Sequence, residues 1–241
     1  GQRFLDLGLS NYNVYLDSGA CSVSDIINGN IIVCKINDVP QLGDLNAIVE
    51  IGPGNCTQNR VATVVPPPSI FEGAAKIAEN ANSITISGSN FGALPEDNTI
   101  YLSIEDVFPD PTCEIVEVVP DDHIVCSNLT GLSTNGTGNL SVIVMAYNGN
   151  SSSAEIGVIV PAPAITQVTE DIFSSADNVL IQGSGFSPIS DENEVSLYQQ
   201  TGPLSCFVNS STETTIECTP QQPLLAGPLF AVVYVHMGYS D

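Results

Sequence analysis

The sequence has almost no basic side chains. Four Lys and Arg residues stand against 27 Asp and Glu residues, which gives this 241-residue chain a formal net charge of −23. Proteins that bind nucleic acid need a basic surface that neutralises phosphates, and binding to an anionic membrane surface needs one as well. The composition therefore excludes nucleic acid as a partner and disfavours anionic membranes.

Long apolar runs are missing too. Hydrophobic residues make up 43% of the chain, but no stretch approaches the ~18 consecutive apolar residues of a membrane-spanning helix. We therefore expect no membrane contact within this segment. The length suggests one or two domains, or three small ones if the sequence repeats regularly.

The few basic residues are unevenly placed. Arg3, Lys35, Arg60 and Lys76 all lie in the first 76 positions, and the remaining 165 residues hold 20 acids and no base. Salt bridges therefore cannot organise most of the molecule. We interpret the acidic surface as a solvated coat that keeps an extracellular protein dispersed.

Acidic clusters raise the alternative of calcium binding. The two candidates are "SDENE" (190–194) and "PDD" (120–122), and neither has the D-x-D-x-D-G spacing of a dedicated calcium loop. We expect no cofactor, with Ca²⁺ as the alternative.

Motifs for catalysis are also lacking. The only two histidines, His123 in "DDHIVC" and His236 in "VYVHMG", are not accompanied by a nucleophile motif. The glycine-rich "GSGF" (183–186) lacks the lysine of a phosphate-binding loop. We predict that the protein is not an enzyme.

Seven cysteines reveal a period. Six form pairs separated by 12 or 13 positions, and each pair follows the previous one by 92 or 93 residues. These intervals do not match the short spacings of zinc knuckles, so we predict one disulfide per repeat and an oxidising compartment. Cys56 is left over and is either unpaired or joined to another chain or to a residue outside this sequence. The predicted pairs are Cys21 with Cys34, Cys113 with Cys126, and Cys206 with Cys218.

Alternating apolar residues recur with the same period. The segments "GDLNAIVEIG" (43–52), "GNLSVIVMAYNG" (138–149) and "GPLFAVVYVHMG" (227–238) align so that Leu45, Leu140 and Leu229 correspond. This spacing predicts β-strands with one buried face, and helical periodicity is nowhere sustained. Shorter strands are predicted before the first cysteine of each pair, at 13–16, 99–104 and 194–198.

The order of elements within a repeat carries a family resemblance. A proline-led strand, "PAITQV" (163–168), precedes a glycine-terminated strand, "VLIQGSGF" (179–186), then a strand leading to a cysteine, then "TIEC" (215–218), then the long strand. This order resembles the IPT/TIG family, immunoglobulin-like domains of plexins, some transcription factors and many surface proteins. The resemblance covers nearly the whole chain and implies an all-β fold of three tandem immunoglobulin-like (E-set type) β-sandwiches.

Proline-rich stretches divide the chain into three repeats. We call 1–65 repeat 1, 66–161 repeat 2 and 162–241 repeat 3. Repeat 2 has every element, including a last strand "SAEIGVIV" (153–160) and a proline-led start "PSIFEGAAKI" (68–77). Repeat 1 has a last strand, "NRVATVV" (59–65), but no proline-led first strand, and repeat 3 has no counterpart of the last strand. We therefore expect the chain to begin and end inside domains.

Glycosylation signals point to the cell exterior. Six N-x-S/T sequons, beside paired cysteines, predict a secreted or cell-surface glycoprotein with N-linked glycans. We expect glycans at least on Asn128, Asn135 and Asn150, in or beside turns, whereas Asn139 enters a long strand. The sequons lie at Asn55, Asn128, Asn135, Asn139, Asn150 and Asn209.

Two non-enzymatic functions fit these features. The first is a structural or adhesive extracellular glycoprotein whose β-sandwiches assemble head-to-tail into a rod or filament, by strand complementation between copies or as part of a longer tandem chain. The alternative is a ligand-binding or spacer ectodomain of a cell-surface receptor. Incomplete terminal repeats and the uneven charge favour the first, with copies of the chain itself as partners.

Overall fold

A computed structural model gives the chain an all-β fold. Its helical content in the described ranges is limited to two single-turn 3-10 helices, Pro95–Asp97 and Ser190–Glu192. No helix in these ranges has the length and hydrophobicity needed to traverse a bilayer. Two compact units are formed, 1–66 and 67–241. The described residues are 12–17, 19–27, 31–37, 40–51, 54–55, 58–105, 107–132, 138–168 and 172–240.

The first unit holds one six-stranded sheet. Its strands are β1 (Tyr12–Leu16), β2 (Gly19–Ile27), β3 (Ile31–Ile36), β4 (Gly43–Ile51), β5 (Gly54–Asn55) and β6 (Asn59–Val64). The order is β3-β2-β1-β4-β5, and β6 pairs with β4 so that Ala62 lies opposite Leu45. Tyr12, Val14 and Leu45 are buried, because alternate residues of a strand face the same side.

Repeat 2 is a sandwich of two sheets in the second unit. One sheet has the order β10-β13-β15-β8, with β14 paired to β13, and the other has the order β11-β12-β9-β7. The buried side chains of both sheets form one hydrophobic core between them. The strands are β7 (Ser69–Ile70), β8 (Ala75–Ala78), β9 (Ser83–Ser89), β10 (Asn98–Ile104), β11 (Thr112–Val119), β12 (His123–Thr130), β13 (Gly138–Ala146), β14 (Gly149–Asn150) and β15 (Ala154–Val160).

Repeat 3 has its own core, enclosed by one continuous seven-stranded sheet. The order is β16-β17-β20-β19-β18-β21-β22, because β19 pairs with both β18 and β20. Val179, Leu197, Ile216 and Val233 are fully buried at its centre. The strands are β16 (Ala164–Val168), β17 (Val179–Ser184), β18 (Glu194–Gln199), β19 (Gly202–Ser211), β20 (Thr215–Pro220), β21 (Phe230–Val235) and β22 (Gly238–Tyr239).

Strands β9 and β17 each have a glycine next to their last residue, Gly88 and Gly183. Close packing by neighbouring atoms explains why glycine is needed at both positions. A Cβ on Gly88 would lie 2.2 Å from the carbonyl oxygen of Ser69 on the first strand and 2.5 Å from the ring of Phe91. In repeat 3, a Cβ on Gly183 would lie 2.4 Å from the ring of Phe186. Both rings are buried. The absence of a side chain at this glycine therefore lets both the first strand and a core phenylalanine pack against its backbone. The role of the recurring glycine is structural.

In repeats 2 and 3, a buried asparagine forms hydrogen bonds with the backbone of the loop that follows the glycine-containing strand. The Asn98 amide accepts a hydrogen bond from the backbone N–H of Gly92 (2.8 Å) and donates to the carbonyls of Gly92 (3.1 Å) and Leu94 (2.8 Å). Asn193 makes the corresponding bonds to the N–H and C=O of Ser187 and to the carbonyl two residues later. Since a buried amide needs its partners, these bonds fix the loop that leads into β10 and β18.

Two predicted long strands end earlier than their alternating patterns indicate. β13 stops at Ala146 and β21 at Val235, and each is followed by a two-residue turn and a short return strand. The turn residues are Tyr147 and Asn148 in repeat 2 and His236 and Met237 in repeat 3, with φ angles of 50°, 65°, 53° and 64°. Positive φ at both positions is the geometry of a type I′ hairpin turn.

The predicted single first strand of repeat 2, 68–77, is two strands. β7 pairs antiparallel with β9 in one sheet, and β8 pairs parallel with β15 in the other. The chain crosses between the sheets at Gly73, whose N–H donates to the carbonyl of Glu155 (3.0 Å). The first strand therefore serves both sheets, which a period-2 pattern alone does not show.

Candidate functional site: the joint between repeats 2 and 3

One disulfide joins neighbouring strands in each repeat. The bridged Cα atoms are 5.5 to 5.7 Å apart, and the strands are β2 with β3, β11 with β12, and β19 with β20. Cys56 lies outside the described residues, and its pairing stays a prediction. The bonded pairs are Cys21–Cys34, Cys113–Cys126 and Cys206–Cys218, the pairs that the cysteine period predicts.

Four sequon asparagines have described side chains, and all four are exposed. Asn128, near the end of β12, donates to Glu114 Oε2 (2.9 Å). Asn209 donates to Thr219 Oγ1 (2.8 Å). Asn135 lies outside the described residues, and Asn55 lies in β5 with its side chain outside the description. Glycan attachment stays a prediction at every sequon. The exposed four are Asn128, Asn139, Asn150 and Asn209.

The two acidic clusters form hydrogen bonds with turn residues. Asp121 accepts a hydrogen bond from the N–H of Asn90 (3.2 Å), and Asp122 lies 2.9 Å from the Nδ1 atom of His123. In the other cluster, Glu192 accepts a hydrogen bond from the Ser187 hydroxyl. Among the described residues, no three His, Cys, Asp or Glu side chains come together in a way that would hold a metal ion.

Hydrogen bonds from both main chain and side chains connect repeats 2 and 3 in the second unit, and we call this contact the joint. At this joint the β21–β22 hairpin of repeat 3 reaches the end of β8 in repeat 2. The backbone N–H of Ala78 donates to the carbonyl of His236 (2.8 Å). The next residue, Glu79, donates its N–H to the carbonyl of Val160 (2.9 Å), at the end of β15. Main-chain bonds therefore hold both the hairpin and the connecting segment.

The side chain of Asn80 forms two hydrogen bonds with the backbone of the hairpin. Its Nδ2 atom donates to the carbonyl of Tyr239 (2.7 Å), and its Oδ1 atom accepts from the N–H of the same residue (3.4 Å). One amide side chain thus satisfies both main-chain groups of a residue in the neighbouring repeat. This pairing imitates a β-ladder contact and fixes the orientation of the hairpin.

Gly238 allows the two repeats to approach. A Cβ at this position would lie 2.2 Å from the Cβ of Ala78 and 2.3 Å from Oδ1 of Asn80. Gly149 is the corresponding residue of the β13–β14 hairpin, and there an added Cβ would have no neighbour closer than 3.6 Å. Of these two corresponding hairpin glycines, only Gly238 is tightly packed.

Lys76 and His236 lie together at the edge of the joint. They line a crevice of about 540 Å³ with apolar side chains that include Ile189 and Met237, and with the carboxylate of Glu192. Burial and then the positive charge of Lys76 lower the pKa of His236, and the charge of Glu192 opposes this shift. His236 therefore favours its neutral form in the assembled joint.

No sequence motif indicates the joint between repeats 2 and 3. Asn80 and Tyr239 are separated by 159 positions, and neither belongs to a recurring motif. The "NG" dipeptide at 148–149 indicates a hairpin turn in repeat 2. Because residues 237–238 align with it, the same turn can be predicted in repeat 3. The contact of the second hairpin with the preceding repeat has no sequence signature of its own.

Comparisons with known proteins give only distant likenesses. Neither a protein-family model nor a curated protein matches the chain. Among solved structures, it is similar to the Plexin A4 full extracellular region, domains 1 to 8 (14% identity, TM-score 0.41, 98% of this chain and 30% of that one). A structure of domains 1 to 10 gives 13% identity and a TM-score of 0.43, over 99% of this chain and 20% of that one.

A further likeness is to chicken CNTN1 FN1–FN3 domains, with 12% identity and a TM-score of 0.34, over 95% of this chain and 85% of that one. The chain spans less than a third of the length of either plexin structure. Because all three identities are below 15% and all three TM-scores below 0.5, these likenesses bear on neither family nor function. The immunoglobulin-like β-sandwich fold is established by the sheets and cores of the chain itself.

Proposed function

We propose that this chain is a structural segment of an extracellular glycoprotein, in which the β-sandwiches of repeats 2 and 3 are locked together as a stiff pair. The observation that carries the proposal is the joint between repeats 2 and 3. Tandem domains connected only by a linker are expected to move relative to each other. Here the N–H of Ala78 and both hydrogen-bonding groups of Asn80 are committed to the next repeat.

The contacts of the joint oppose bending in more than one direction. The Ala78–His236 bond ties strand β8 to the hairpin turn, and the Asn80–Tyr239 pair ties the following turn to the return strand. Gly238 brings the backbones close enough that a tilt in one direction causes a clash. A rod built this way transmits its orientation from one repeat to the next without depending on ion pairs, which suits a segment with a single lysine.

The proposed location outside the cell rests on covalent chemistry. Three disulfides need an oxidising compartment to form and persist. The sequon asparagines with described side chains are exposed, so the folded surface has room for glycans at these positions. A rod of this kind supports adhesion or spacing, either as part of a longer tandem chain or through copies that join head-to-tail.

The test is whether repeats 2 and 3 tumble together. We expect backbone ¹⁵N relaxation of the full chain to fit one rotational diffusion tensor for 67–241. The variant Asn80→Ala should separate the two repeats into differently tumbling bodies. The matched control Asn178→Ala removes amide hydrogen bonds to Glu217 and Thr219 within repeat 3, and it should leave the single tensor intact. Independent tumbling of the two repeats in the unmodified chain would overturn the proposal.

A further inference from the structure

Phe207 is a large apolar side chain that the fold leaves in solvent. It lies on β19 and is 62% exposed, whereas its neighbours Cys206 and Val208 belong to or pack against the core of repeat 3. The corresponding residues of the other repeats, Ser22 and Glu114, each one position after the first cysteine of the pair, are polar. Packing within repeat 3 therefore does not account for a phenylalanine at this position.

Phe207 stands two residues before the asparagine of a sequon, Asn209. Of the six sequons, this is the one with an aromatic residue in that position, and the others have Pro, Cys, Ser, Thr or Asn there. Residues two apart on a strand face the same side, about 6.6 Å from each other. A sugar attached to Asn209 would therefore begin next to the ring of Phe207.

Asn209 is the additional residue of a β-bulge. The register of β19 against β20 shifts between Val208 and Ser210, which leaves Asn209 without an opposite residue on β20. The same bulge recurs three positions after the first cysteine of the pair in the other repeats, at Ser24 and Val116. Because the Asn209 backbone is outside the regular ladder and its side chain is exposed, a substituent on the amide leaves the strand pairing intact.

Hydrogen bonds place the Asn209 amide on the side of the sheet that carries Phe207. Its Nδ2 atom donates to Oγ1 of Thr219 (2.8 Å) and to Oδ1 of Asn178 (3.2 Å). Thr219 lies directly opposite Phe207 in the pairing of β19 with β20, and opposite residues direct their side chains to the same face. The nitrogen that would carry a glycan is therefore held on the Phe207 side. A glycosylated amide keeps one N–H, so one of these hydrogen bonds can remain.

We infer that Asn209 carries an N-linked glycan whose first N-acetylglucosamine stacks on the ring of Phe207 and stabilises repeat 3. Attachment forms a bond between Nδ2 and the anomeric carbon of the sugar and releases one amide proton. The bond from that carbon to a phosphate oxygen of a lipid pyrophosphate donor breaks, and the lipid pyrophosphate leaves with the bonding electrons. The inference deepens the proposed function and rests on it, because it requires that the chain be a glycoprotein.

The sugar and the aromatic ring are complementary in shape and polarity. One face of a β-linked N-acetylglucosamine presents axial C–H groups, which carry partial positive charge because their carbons are bonded to oxygen or nitrogen. The face of an aromatic ring is electronegative. Stacking also removes apolar surface of Phe207 from water. Because the folded strand holds the ring and the attachment nitrogen on one face, the contact favours the folded form of repeat 3.

The direct test uses the full chain from a eukaryotic secretory system, with its glycans trimmed by an endoglycosidase to single N-acetylglucosamine residues. We expect the ring current of Phe207 to shift the axial proton resonances of the sugar on Asn209 upfield. Phe207→Ala should abolish this shift, and Phe207→Tyr should preserve it. Phe173→Ala is the matched control, because Phe173 is 84% exposed in the same repeat and no sequon follows it at this spacing. This variant should leave the shift unchanged.

A second arm measures the stability that the contact contributes. Hydrogen exchange of the β20 amides is compared between the glycosylated chain and Asn209→Gln, once with Phe207 and once with Phe207→Ala. The sugar should slow exchange by about 2- to 12-fold when Phe207 is present, the range expected for one aromatic contact. In the Phe207→Ala background the sugar should have no such effect, because the cycle isolates the interaction between the two groups.

The outcomes separate this inference from the proposed function. A sugar on Asn209 whose resonances are the same in Phe207→Ala, or whose effect on exchange is equal in both backgrounds, would overturn the stacking. An unoccupied Asn209 beside occupied sequons elsewhere would overturn it as well. Absence of sugar from every sequon would contradict the glycoprotein itself. The stiff joint between repeats 2 and 3 is tested separately by the relaxation measurement and is unaffected by Phe207→Ala.

Discussion

Replacing Gly238 with alanine should loosen the joint between repeats 2 and 3 without unfolding either one. The new Cβ would lie 2.2 Å from the Cβ of Ala78 and 2.3 Å from Oδ1 of Asn80. Asn80 can turn its amide away, but the Cβ of Ala78 is fixed by the backbone of β8. Relief therefore requires the hairpin to move, which also weakens the bonds to Asn80 and Ala78.

The expected magnitude follows from two estimates that agree. Overpacking a tight contact with one extra methyl group costs about 1 to 3 kcal/mol. Moving the hairpin away instead sacrifices up to three hydrogen bonds worth roughly 0.5 to 1.5 kcal/mol each. The cheaper response sets the outcome, so we expect the joint to lose about 1 to 3 kcal/mol, equivalent to about 5- to 150-fold more frequent opening.

Hydrogen exchange of the Ala78 amide, which donates to His236, measures this opening directly. Gly149→Ala is the matched control, since Gly149 has the corresponding place in repeat 2 and an added Cβ meets nothing closer than 3.6 Å. Neither glycine has a positive φ, so the effect of alanine on the unfolded chain is shared by both variants. Unchanged exchange in Gly238→Ala, or equal acceleration in Gly149→Ala, would refute the packing argument.

Three further measurements address the disulfide, the glycans and the pH response. Changing Cys113 and Cys126 together to serine should lower the free energy of unfolding of repeat 2 by about 3 kcal/mol in urea titrations, because the cross-link restricts the unfolded chain. Glycosidase treatment should reduce the mass of peptides that carry Asn128 and Asn150, and peptides of unchanged mass would contradict glycosylation at these exposed sites. Burial and a neighbouring lysine lower the pKa of His236, so its contribution to the joint should be present above its ordinary pKa and be lost as the pH falls through the lowered value. A protection factor of the Ala78 amide, corrected for the intrinsic pH dependence of exchange, that is insensitive to acidification over this range, or equally sensitive in His236→Gln, would argue against this linkage.

The strand layout of the chain was largely accessible from its sequence. Alternation such as Leu140, Val142 and Val144 specifies both the strand and its buried face, and β13 buries these three side chains. The cysteine period correctly identifies neighbouring strands, because a recurring short separation in a β-sandwich places the two residues on adjacent strands. Local sequence patterns are sufficient to predict features that depend on one strand and its nearest neighbour.

The turns and the joint were less accessible, for a different physical reason. Asn148 favours positive φ and indicates a hairpin turn, but Met237 adopts the same conformation with no such preference. A tertiary contact helps to stabilise this turn conformation, since the carbonyl of His236 accepts a hydrogen bond from the N–H of Ala78. A contact between residues that are more than 150 positions apart, such as Asn80 with Tyr239, depends on how two finished domains meet.

The placement of Lys76 has a consequence for resistance to proteolysis. It is the only Lys or Arg between residues 67 and 241, so proteases of trypsin-like specificity have one possible target in this whole unit. That target lies in β8, paired with Val158 of β15, whereas proteases need an extended, accessible loop. We therefore expect the folded unit to resist this class of enzyme. Digestion with trypsin after complete unfolding should leave a single peptide covering residues 77–241, too long for routine mass spectrometry.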